Sequence, residues 1–117
     1  MKEYILLFRM NILTESIQPT KEQMAAYMSQ WMHWINEIAD KGQLASGGNH
    51  LSRTGKVIRP QNEIINEPYA VNMESVAGYI IILAKNMDDA SEIAKRCPIL
   101  NGKGTSVEIR EAATPGT

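Results

Sequence analysis

Cysteine is all but missing from this sequence: Cys97 is its single thiol in 117 residues. One thiol cannot close an internal disulfide, so the fold does not require an oxidising compartment. Histidine is scarce as well. His33 and His50 are the only two, and neither they nor Cys97 are spaced as metal ligands are. No metal site is expected, and no cofactor motif stands in the chain. Gly102-Lys103-Gly104 lacks the strand, glycine-rich loop and helix context of a phosphate cradle and reads as a turn.

Long apolar runs are missing too. None approaches the ~20 residues that a membrane-spanning helix needs. Near the N-terminus only Tyr4 to Phe8 are continuously apolar, closed by Arg9, which is too short for a secretory signal. A cytoplasmic protein without a membrane partner is the expectation. Charge of one sign is not concentrated either. Lys and Arg number 12 against 13 Asp and Glu, for a net charge of -1, and the longest basic cluster is Lys95-Arg96. Displacing counterions from nucleic acid takes a dense basic surface, so no nucleic-acid partner is expected.

What remains has the balance of a globular chain, with 44% hydrophobic and 21% charged residues. The length fits one domain, placed at residues 1-112, with 113-117 as a frayed tail. The run Tyr4 to Phe8 suits a central strand buried on both faces. Asn11 to Pro19 is polar and reads as a loop. Thr20 with Gln23 forms a capping box. The helix that follows carries Met24, Tyr27, Met28, Trp31, Ile35 and Ile38 on one face, widened by Met32 and Trp34, and stops at Gly42. Gln43 to Leu51 is a strand broken by Gly47-Gly48. A turn at Ser52 to Gly55 joins it to a short strand at Lys56 to Arg59, and Ile64-Ile65 stays extended. Val76 to Ala84 is a second apolar strand. Asn86 to Asp89 opens a helix that lines up Ala90, Ile93, Ala94 and Cys97 and ends at Pro98. Thr105 to Glu111 alternates, with Val107 and Ile109 inward. The economical arrangement is α+β, in the order strand, helix, strand, strand, helix, strand, with two helices on one face of an antiparallel sheet. RNA-recognition domains share that order, but their stacking aromatics are missing from the last strand.

The ordered set Asn66-Glu67-Pro68-Tyr69-Ala70, Glu74 and Gly78-Tyr79 resembles the DGPF-type branch of the YCII-related domain family. Its hallmark is Asp-Gly-Pro-Phe-Ala, a Lys-Glu pair, and Gly-Gly-Tyr before an apolar strand. The flanks are similar: Gly47-Gly48, Lys56-Val57-Ile58-Arg59-Pro60, Cys97-Pro98 and Ser106 to Arg110. The resemblance covers nearly the whole chain. It implies a ferredoxin-like fold and a homodimer of the dimeric α/β-barrel type. In the wider family it implies a His–Asp acid/base pair, and in some DGPF-type members a link to transcription initiation. This sequence departs from the hallmark at Asn66, where an amide replaces the aspartate and cannot shuttle a proton. Glu67 supplies a carboxylate one residue on, but extended geometry before Pro68 turns it to the opposite face. Ile99 stands where a histidine is usual.

The single residues divide accordingly. His33 lies about 180° around the helix from Met24 and reads as a surface or dimer-contact residue. His50 reads first as an exposed strand end and second as a catalytic candidate with Glu74. Cys97 reads as packing, with its thiol held protonated at a helix C-terminus. Asn66, Tyr69 and Arg9 are the candidate ligand-binding residues. The preferred function is a homodimeric small-ligand-binding domain without strong catalysis. One alternative is acid/base chemistry on a small metabolite; another is a regulatory partner in transcription.

Overall fold

The computed structural model describes residues 1-14 and 18-113. Seven strands and two helices follow one another as β1 (Lys2–Met10), α1 (Lys21–Asp40), β2 (Leu44–His50), β3 (Val57–Arg59), β4 (Glu63–Ile65), β5 (Ala70–Val71), β6 (Glu74–Ala84), α2 (Met87–Ala94) and β7 (Ser106–Glu111). The main sheet is antiparallel, in the order β2-β6-β1-β7, and β5 adds a short pairing to the start of β6. Counting only those four long strands, the order is that of a ferredoxin-like α+β fold. The expected tail beyond Ala113 and part of the expected loop, at 15-17, lie outside the described residues.

Each helix begins where its sequence signal stands. Thr20 accepts from the backbone N–H of Gln23, whose side chain accepts from the backbone N–H of Thr20, at 3.1 and 2.9 Å. Asn86 caps α2 by accepting from the Asp89 N–H. Alternation along β1 and β6 sends Tyr4, Leu6, Phe8, Ile80, Ile82 and Ala84 to one face. There they meet Trp31, Trp34 and Ile38 of α1 and Ala90, Ile93 and Ala94 of α2 in a single core. Trp34 is the clasp between the helices, its indole N–H donating to the Ile93 carbonyl at 3.1 Å.

Three expectations need correction. β1 is central, but the helices cover only one of its faces; Ile5 and Leu7 lie on the other, where they are half-buried among the described residues. The stripe of α1 is core only in its second half. Met24 is exposed and Tyr27 and Met28 are half-buried, because the first half of the helix overhangs the sheet, while Trp34 is buried almost as deeply as Ile38. Finally, β3 does not pair with β2. It forms a separate two-stranded hairpin with β4, with Ile58 opposite Ile64, turning at Gln61 and Asn62, both at positive φ. With Arg59 paired to Glu63, the loop is the three residues Pro60, Gln61 and Asn62.

Candidate functional site

Sheet register builds a groove under the overhang of α1. Phe8 on β1 is paired with Gly78 on β6, and Gly78 with His50 on β2, so three residues form one row across the sheet. The middle one has no side chain. Gly78 cannot easily gain one, since a Cβ there would meet the Asn49 carbonyl oxygen at 2.9 Å. Phe8 and His50 therefore stand as walls on either side of a glycine floor, continued by Ala77. Trp31 leans against both, with ring centroids 4.6 Å from Phe8 and 5.9 Å from His50. Tyr27 continues the aromatic wall, 6.0 Å from Trp31.

The resulting groove has a volume of about 960 Å³, which is the size of a small-molecule site. Met10, Met24 and Met28 add flexible apolar lining, Leu51 and Arg53 close the β2 end, and the turn from Pro98 to Thr105 borders the far side. Burial pushes the Tyr27 phenol up to about 12, so it stays a protonated donor at neutral pH. Cys97 is also buried and raised to about 12. The cause is desolvation; α2 ends at Ala94, three residues short of the thiol.

The residues singled out from sequence do not gather in one place. His50 is in the groove. Arg9 and Glu74 extend from the sheet ends on the face away from the helices, each with its own partner. Arg9 binds Glu108 through Nη2 at 3.0 Å and Nε at 3.2 Å, and Glu74 accepts from the Ser106 hydroxyl at 2.7 Å. The Arg9 hydrogen bond is the main reason why the Glu108 carboxyl lies below its usual range. Asn66 and Tyr69 are exposed on the segment between the hairpin and β5, and neither lines the groove. The Tyr69 ring lies 5.8 Å from the Arg59 guanidinium, and its carbonyl accepts from buried Ser75 at 2.6 Å. His33 is on the solvent side of α1, paired with Glu37 at 3.1 Å. Among the described residues, no three His, Cys, Asp or Glu side chains cluster as metal ligands. No helix among them is long and apolar enough to cross a membrane.

Phe8, Tyr27 and Trp31 line the groove although none was a candidate site residue from the sequence, and Gly78 entered there only as part of an apolar strand and of the family motif. The available signal was Gly78 itself, a glycine inside an apolar strand, which marks a close approach of backbone or ligand.

An antiparallel α+β sheet with helices on one side and an apolar groove at the sheet's end describes a class, not yet a family. The family follows from comparison: the model of the YCII-related domain matches residues 8-113, so the chain belongs to the YCII-related domain family. No curated protein matches it.

Proposed function

We propose that this protein is a homodimeric small-ligand-binding domain without strong catalysis, from the DGPF-like branch of its family with Asn66 in the hallmark aspartate position. The observation that carries the ligand-binding reading is the groove: about 960 Å³ of space walled by Phe8, Tyr27, Trp31 and His50 over a floor of Gly78 and Ala77. A chain that merely packed a core would gain by filling that volume, since dispersion contacts are lost wherever a wall faces nothing. The test is calorimetric titration with small apolar and aromatic molecules. Saturable binding weakened by Trp31→Ala supports the reading; failure of every such molecule to bind removes it. Asn66→Asp leaves the groove's affinity unchanged, because Asn66 does not line it.

Homodimerisation is supported by the sheet face away from the helices. Ile5 and Leu7 of β1 and Tyr79, Ile81 and Leu83 of β6 alternate onto that side and are only half-buried. A second copy facing it would bury the strands on both sides, as their unbroken apolar sequence suggests. Sedimentation should give twice the chain mass of 13.1 kDa, and Leu7→Glu should give the single mass.

A second reading has one observation in its favour. Glu74, which accepts from Ser106, and Glu108, which accepts from Arg9, are two carboxylates on the face away from the helices, and an enzyme of acid/base type would use such a pair. Turnover of any groove ligand that falls ~10²–10⁴-fold in Glu74→Gln would establish it over the non-catalytic reading.

A further inference from the structure

We infer that the β3–β4 hairpin is an arm that clasps a second copy of this chain, with Ile58 and Ile64 packed against that copy. This rests on the homodimeric reading above and names a surface which that reading does not use. Ile58 and Ile64 are cross-strand partners, so both side chains stand on the same side of the hairpin. They are 70% and 54% exposed. Among the described residues, none from 51 to 73 is buried. The hairpin is a sheet of its own, apart from the four long strands, and a two-stranded hairpin alone is marginal in water. It is nevertheless closed at its root, where Gly55 and Pro68 come so near that a Cβ on the glycine would meet the proline ring at 3.3 Å. The chain is accordingly spread out, with a radius of gyration of 15.5 Å against ~13 Å for a compact chain of about 100 residues.

Continuity and area both point to a second copy as the occupant. Val71 pairs with Glu74, so the two side chains share a face. It is the face away from the helices, which carries Ile5, Leu7, Tyr79, Ile81 and Leu83. Val71 is itself exposed, and Tyr69, two residues before it, lies against Arg59 of the hairpin. Apolar surface therefore continues from the sheet through Val71 towards the arm. A specific interface covers ~800 Å² per partner, and in a homodimer about two-thirds of that, ~500 Å², is apolar. The five sheet residues are half-buried and together offer on the order of 200–300 Å², short of that need. Ile58 and Ile64 are mostly open and add on the order of 200 Å², which closes the gap. The net charge of -1 gives two copies little to repel.

The experiment measures the dissociation constant of the dimer by sedimentation across a dilution series, for the full chain and for Ile58→Ser/Ile64→Ser. A two-fold dimer uses each arm once in either direction, so the double variant should dissociate at least about a hundredfold more readily. Its thermal unfolding at monomeric concentration should match that of wild type, since both side chains are exposed. Amide exchange is the second measurement and needs no substitution in the arm. The amides of β3 and β4 should be protected at dimeric concentration and lose that protection on dilution or in Leu7→Glu. If the wild-type dimer leaves them unprotected, or if the double variant dissociates as wild type does, the inference is overturned and the dimer stands. Protection that persists unchanged in the monomer shows a hairpin stable by itself, and overturns it too. If wild type stays monomeric, the homodimeric reading falls first and the arm falls with it.

Discussion

His50 faces Gly78 across the β2–β6 pairing, and the empty place opposite the imidazole is what opens the groove to Trp31. The same two strands touch again one turn of the pleat away, at Gly48. Its φ is +59°, and a Cβ there would lie 1.8 Å from the Tyr79 carbonyl oxygen. Gly48→Ala should therefore cost at least about 2 kcal/mol, from left-handed strain and backbone collision together. Urea unfolding checks this. A loss below about 0.5 kcal/mol would mean that β2 and β6 are not this close.

The two halves of α1 should respond differently to truncation. Trp34→Ala removes a buried ring and leaves the Ile93 carbonyl without its indole donor, for an expected loss of about 3–5 kcal/mol. His33→Ala breaks only an exposed pair with Glu37 and should change stability by less than about 0.5 kcal/mol. Similar losses at both positions would contradict the orientation of the helix.

Met73 offers a gain. It sits with Asn72 at the β5–β6 turn, both at positive φ, and its side chain is 58% exposed. Little packing is lost on removing it, and glycine adopts that conformation without strain. Met73→Gly should stabilise by about 1 kcal/mol, read as a higher urea midpoint at unchanged slope. A lower midpoint would show that the methionine is held by contacts, which its exposure argues against.

Acid should weaken the fold through Glu108. Arg9 holds its carboxyl below the usual range by hydrogen bonding and charge. A carboxyl with a lower value in the folded than in the unfolded chain stabilises the fold while ionised. That contribution is complete above the unfolded glutamate range, and disappears as pH falls through the depressed folded value. Arg9→Gln should make the acid limb of the stability profile shallower, and added salt should do the same in part because the pair is half-exposed. A limb unaffected by the substitution would assign the acid sensitivity elsewhere.

Local chemistry made much of the fold legible. Thr20 and Gln23 announce α1 because the capping box is satisfied within four residues, and Asn86 announces α2 in the same way. The β3–β4 hairpin was hidden because Gln61 and Asn62 turn it, without the glycine that advertises such turns. The apolar runs of β1 and β6 say that both faces suit burial without saying what lies against them. The groove was out of reach for a different reason. Phe8, Gly78 and His50 are far apart in sequence and meet only through strand register, which no local pattern encodes. The segment Asn66 to Ala70 drew attention as a motif, yet its exposed side chains stand away from the groove.

The position of β1 bears on how the chain is made. Both strands that flank it, β6 and β7, belong to the second half of the sequence. On the ribosome, at ~5–20 residues per second, Tyr4 to Phe8 must wait several seconds before either neighbour emerges. During that interval an apolar strand with two open edges is exposed to other nascent chains. Yield during expression should accordingly depend on chaperone supply more than the stability of the finished fold would suggest, and slowing translation after β2 should lower it further.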